Sequence, residues 1–228
     1  MDNLSFESGV AFNWGGCVIS DTVLTTWVIM LFFALSGWLF SRHLHQSPSP
    51  LQAALEAVIS SIEEAIRAVA PEQTKLLLPF ISTLWLFLVV ANLTGLIPGM
   101  HSPTRDLSAT AALALVVFLS VHWFGIRTLG LKVYLQHYLT PSPILLPFNL
   151  ISEVTRTIAL AVRLFGNIMS LEMAALLILM VAGFLVPVPI LMLHIIEALV
   201  QAYIFGTLAL IYVAGGLQSR QLRHHQAS

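Results

Sequence analysis

The sequence predicts an all-α integral membrane protein of about five membrane-embedded helices plus one interfacial amphipathic helix, with the last two helices forming a long tilted antiparallel hairpin. Two observations carry this. Charged residues are 9% of the 228 residues and apolar types 57%, which leaves a water-soluble domain too little polar surface to cover itself. Stretches free of Asp, Glu, Lys and Arg also run from Thr22 to Ser41, Leu76 to Thr104, Leu107 to Ile126, Met173 to Ile196 and Ala198 to Ser219. Each is long enough for the roughly 20 residues that carry a helix across hydrocarbon.

The chain reads as a single membrane domain, 1–228. The first span is expected at 22–41. Asp2 and Glu7 but no Lys or Arg precede Arg42, so the basic leader of a cleavable signal is missing and the span is expected to remain. The single cysteine, Cys17, has no disulfide partner and reads as a small apolar residue near a membrane end. A net charge of −1 points to no nucleic acid or other polyanion as partner.

A Ser/Pro-rich break then leads to Ser49-Pro50-Leu51-Gln52, an N-cap, a proline at the first helical position and a capping-box glutamine. The helix expected over 50–70 places Leu51, Leu55, Val58, Ile62, Ile66 and Val69 on one side and Glu56, Glu63, Glu64 and Arg67 on the other. That pattern suits a helix lying along the membrane surface or one packed at the periphery. Spans 76–97 and 107–126 flank Pro98-Gly99 and Ser102-Pro103, a turn composition that makes them a helical hairpin. With the amino terminus outside and the carboxyl terminus cytoplasmic, Arg42, Arg67, Lys75, Arg127, Lys132, Arg220 and Arg223 fall at the inner surface and Arg105 in an outer loop, as the inner-surface preference of basic residues requires.

The final hairpin is expected from helices over 147–185 and 190–214, reversed at Pro187 and Pro189 because proline ends a helix. A 39-residue helix over 147–185 would reach about 58 Å, nearly twice the hydrocarbon thickness of roughly 30 Å, so it must tilt or bend. No internal repeat of the kind that marks many transporters is present.

An arginine inside such a helix costs at least about 2.5–3.5 kcal/mol at the bilayer centre and calls for a partner or a task. Arg156 has Glu153 three residues before it and is expected to form a structural ion pair with it. Arg163 has no carboxylate three or four residues away, only Asn167, so its countercharge must come from another helix or another subunit. Glu172 stands nine residues beyond Arg163, on roughly the opposite face and about 13 Å along the axis. On the last helix His194, Glu197 and Gln201 follow at steps of three and four, with Tyr212 eleven residues further, giving a polar track on one face. Histidine changes charge near neutrality. Such a track either relays ions or holds helices together through hydrogen bonds.

Arg163-Leu164-Phe165-Gly166-Asn167, then Glu172, then His194 and Gln201 in HIIEALVQAYIFGTLALIY, resemble the signature of the F-type ATP synthase subunit a family. Asn92-Leu93-Thr94-Gly95-Leu96-Ile97-Pro98, Pro103-Thr104-Arg105-Asp106 and Pro147-Phe148-Asn149-Leu150-Ile151 extend the resemblance over roughly residues 76–216. It implies a non-catalytic, ion-translocating subunit in the cell inner (plasma) membrane, beside a rotating ring of c subunits, with a b-subunit stator and the other synthase subunits as partners. It implies no cofactor and no metal. Arg163 would face the ring's ion-binding carboxylate and separate two half-channels, while Glu172, His194, Gln201, Asn167 and Glu197 would relay protons between water and the ring. Leu171 stands where many members have glycine, and the short amino-terminal region resembles a compact branch in which some complexes move sodium. Sodium in place of protons, a self-contained ion-coupled transporter and a noncatalytic membrane scaffold remain alternatives at this stage.

Overall fold

A computed structural model describes residues 10–14, 17–42, 50–97, 100, 102–131, 145–182 and 187–227. Six long helices dominate: α1 (Asp21–Arg42), α2 (Pro50–Val69), α3 (Thr74–Leu93), α4 (Leu107–Leu129), α5 (Leu145–Ala182) and α6 (Pro187–Ala227). Five stretches are long and apolar enough to cross a membrane: Asp21–Leu39, Pro71–Leu96, Leu107–Thr128, Pro147–Ile178 and Leu191–Leu217. The chain is thus an all-α, multi-pass membrane protein. Ser49, Pro98-Gly99, Lys132 and residues 183–185 lie outside the described residues, and with them the expected N-cap, part of the expected turn and the end of the 147–185 helix.

Ahead of α1, and not foreseen in the sequence, β1 (Val10–Trp14) and β2 (Cys17–Ser20) pair antiparallel, with Trp14 opposite Cys17. Their alternation of Val, Phe, Ile and Trp with smaller residues suits a strand, but the segment is too short to stand out against the apolar helices.

The described chain divides into two compact units. The first contains β1, β2, α1, α3 from Leu86, α4 as far as Thr110, α5 from Leu164 and α6 as far as Ala202. In it, α1 is exposed along almost its whole length, with Ile29 buried, as a lipid-facing helix is. Arg42 closes α1 with its guanidinium 4.1 Å from the Trp38 ring centroid. Thr22 Oγ1 donates to Asp106 Oδ2 at 3.2 Å, while Asp106 Oδ1 accepts from the backbone N–H of Ser108 at 2.9 Å and so caps the start of α4.

The second unit contains α2, α3 as far as Trp85, α4 from Ala111, α5 as far as Arg163 and α6 from Tyr203. Its core is built from Ile62 and Ile66 of α2, Leu77, Ile81 and Trp85 of α3, Val121 and Phe124 of α4, and Leu210, Val213, Ala214 and Leu217 of α6. Of the two roles open to α2, its inner stripe is packed against other helices, while Leu55 and Val58 remain exposed. The exposed Arg67–Glu63 pair at 2.6 Å adds little, because a surface pair at this spacing is worth only about 0.3–0.5 kcal/mol.

Close packing is most acute at Gly206, where an added Cβ would overlap the Trp85 indole. That indole donates from Nε1 to the Tyr203 carbonyl at 3.3 Å and stacks on the Tyr203 ring with centroids 6.0 Å apart. Small residues at helix contacts let backbones approach in this way where lipid removes the hydrophobic drive for association.

α3 contains Pro79, whose ring removes a backbone donor inside the helix. Ser82 Oγ donates to Leu78 O at 2.5 Å and Thr83 Oγ1 to Pro79 O at 2.6 Å, so hydroxyls serve carbonyls around the proline. α6 extends to Ala227 rather than ending at 214. Leu217 is still buried in the core, and the Gln, Leu and Arg residues beyond it are good helix formers.

Candidate functional site

α5 and α6 carry the residues singled out in the sequence. In the first unit, Asn167 on α5 donates from Nδ2 to Gln201 Oε1 on α6 at 2.7 Å. Gln201 is fully buried, and its own Nε2 has no partner among the described residues. About two turns of helix earlier, His194 is 2% exposed, and its Nε2 is likewise without a partner among them. Glu197, between the two, is half-buried.

Glu172 sits on α5 with its side chain 12% exposed, and its Oε2 lies 3.3 Å from Nη1 of Arg105. Its Oε1 is buried and has no hydrogen-bond partner among the described residues. Gly95 stands beside that oxygen, since a Cβ there would lie 3.1 Å from Glu172 Oε1 and 3.2 Å from Ser102 Cβ. The sequence reading assigned neither Arg105 nor Gly95 to the site. Arg105 is 67 residues from Glu172 in the chain, a separation that no helical periodicity reports.

A buried hydrogen-bonded lock surrounds this corner. Asn92 Nδ2 donates to the Ala198 carbonyl of α6 at 3.1 Å, and Asn92 Oδ1 accepts from Thr104 Oγ1 at 2.8 Å. Ser102 Oγ donates to the Ala91 carbonyl at 2.8 Å and lies 2.6 Å from Thr104 Oγ1. These pairings answer why polar residues occupy an apolar stretch, because each buried donor or acceptor left unmet costs about 1–3 kcal/mol.

In the second unit, Arg163 is exposed on α5, and among the described residues no ion pair or side-chain hydrogen bond holds it. Ala159 and Val162 beside it are exposed, as are Gly166 and Ser170 further along the same helix. Arg156 corrects an expectation. Its guanidinium lies 5.7 Å from the Tyr212 ring centroid, whereas Glu153 Oε2 lies 3.8 Å from His122 Nε2 of α4. An i, i+3 spacing brings two side chains within reach, but here an aromatic face and an imidazole on other helices take one each.

Together these features define a multi-pass membrane protein that keeps carboxylate, imidazole, amide and guanidinium groups within helices long enough to span a bilayer, the mark of a protein that handles ions there. The chain belongs to the ATP synthase A chain family, whose pattern matches residues 23–214. It is 66% identical over 204 residues to ATP synthase subunit a 1 of Hahella chejuensis, covering 90% of this chain and 87% of that one. It is 60% identical over 212 residues to ATP synthase subunit a 2 of Pelobacter propionicus, covering 93% of each chain. With ATP synthase subunit a of Legionella pneumophila it shares 56% identity over 225 residues, 98% of this chain and 97% of the relative. A subunit of this family sits in a complex with other ATP synthase subunits.

Proposed function

We propose that this chain forms the two half-channels through which protons reach and leave a ring of c subunits, driving ATP synthesis or, in reverse, being pumped at the expense of ATP. It is not catalytic alone. The observation that carries the proposal is Arg163, an exposed cation on a helix of membrane-spanning length, with no countercharge among the described residues. Its solvation in lipid has to come from a partner. The exposed Ala159, one turn before Arg163, offers a small side chain that allows another helix to come close.

A ring carboxylate passing Arg163 would be held in its ionised form, having released its proton, and the fixed positive charge would oppose a direct leak between the half-channels. Glu172, His194, Gln201, Asn167 and Glu197 line the access route in this reading. The unmatched buried atoms Glu172 Oε1, His194 Nε2 and Gln201 Nε2 support it, because such atoms require water or an ion to meet them. A b-subunit stator holds the chain against rotation, and the amino terminus faces outward with the carboxyl terminus cytoplasmic.

ATP-driven pumping by the whole complex in sealed vesicles tests this. Acidification that is independent of sodium and abolished by a protonophore is expected. Pumping that requires sodium and survives the protonophore would transfer the same route to sodium ions. Charge movement by this chain reconstituted alone would reject the proposal in favour of a self-contained transporter.

A further inference from the structure

The proposed route gives Arg105 no part. We propose that Arg105 is a positioning residue for Glu172, binding one carboxylate oxygen so that the other is the one presented to the passing ion. This rests on the reading of Glu172 as a member of the ion route.

Three observations support the assignment. The contact is single-sided: Arg105 Nη1 meets Oε2 at 3.3 Å, and Oε1 is buried with no partner among the described residues. A guanidinium is built to grip both oxygens of a carboxylate at once, so a purely structural clamp would be expected to use both. The space beside Oε1 is kept clear by Gly95, where any side chain would begin 3.1 Å from that oxygen. Finally, the turn that carries Arg105 is held on both sides. Thr104 and Ser102, 1% and 2% exposed, are tied to Asn92 and to the Ala91 carbonyl, and Asp106 accepts from Thr22. The backbone of the turn is anchored while the Arg105 side chain, 36% exposed, reaches out to the carboxylate.

A lone carboxylate withdrawn from water would be poorly stabilised in its charged form. A cation on a fixed mount supplies that stabilisation without occupying the oxygen the ion must reach. Arg105 thereby acts through Glu172 and touches no ring group itself.

The test uses the whole complex in vesicles, reading ATP synthesis against the concentration of the coupling ion varied separately on each side. Arg105→Gln is expected to raise the half-saturating ion concentration on one side about tenfold, the size of a lost charge-assisted hydrogen bond, and to leave the other side unchanged. Arg105→Lys, which keeps the charge but not the fork, is expected within about threefold of the parent. In a Glu172→Gln background, Arg105→Gln is expected to add less than about twofold, as for two groups acting in series.

Parent-like behaviour of Arg105→Gln beside an impaired Glu172→Gln overturns the positioning role and leaves the ion route standing. Additive losses overturn it as well. Full activity of Glu172→Gln removes the route through Glu172 and this inference with it. Arg105→Cys with Cys17→Ser, in a complex free of other reactive cysteines, separates assembly from charge. Modification after assembly with a positively charged aminoethyl thiosulfonate is expected to restore the one-sided affinity, and a negatively charged sulfonatoethyl reagent is expected not to. Equal effects of the two reagents overturn the proposal.

Discussion

Asn167 Nδ2 lies 2.7 Å from Gln201 Oε1 and ties α5 to α6 through an amide that is itself buried. The bond uses half of each amide, and Gln201 Nε2 has no partner among the described residues. An interhelical hydrogen bond of this sort is worth about 0.6 kcal/mol and up to about 1.7 within a membrane. Such a bond is strong enough to set side-chain orientation and weak enough to exchange with water.

Gln201→Leu is therefore expected to leave the Asn167 amide unmet at a cost of about 1–3 kcal/mol. ATP-driven pumping should fall several-fold at an unchanged content of this subunit in the membrane. Pumping rates normalised to subunit content check it.

Gly206→Ala is expected to be among the most disruptive small substitutions in the chain. The new methyl overlaps the Trp85 indole, and overpacking a tight contact costs about 1–3 kcal/mol. Recovery of the assembled complex after graded heating should drop for Gly206→Ala, and Trp85→Leu in the same chain should return part of it by vacating the space.

Asn92→Ala is expected to unlock the corner near Glu172. It removes the side-chain donor to the Ala198 carbonyl and leaves the Thr104 hydroxyl without its acceptor, at about 1–3 kcal/mol. Hydrogen exchange in the segment 92–106 should quicken relative to α4.

Much of the fold was legible because hydrocarbon imposes a length and a composition that a single sequence displays. The expected span 76–97 and helix α3 differ by a few residues at each end, and the amphipathic stripe of α2 already contained Ile62 and Ile66. Choices among partners were not legible. Glu153 and Arg156 are neighbours on one helix, yet His122 and Tyr212, from α4 and α6, take one each. Glu172 finds its cation in a turn remote in sequence, and the space at Gly95 is visible only once that carboxylate is in place. The hairpin before α1 carried no signal distinct from the apolar segment that follows it.

The proposed orientation rests on the distribution of basic residues and can be tested chemically. In a Cys17→Ser chain, Thr22→Cys is expected to react with a membrane-impermeant thiol reagent added outside intact cells, and Arg42→Cys only after the inner face is opened. The labelling pattern of the two variants on the same gel checks it.

The central claim is that the exposed Arg163 carries the ion step. Arg163→Ala in an otherwise assembled complex measures it most directly, through ATP-driven pumping and ATP synthesis in the same vesicles. Loss of both with the subunit still in place is the expected result, and retention of both would contradict the account.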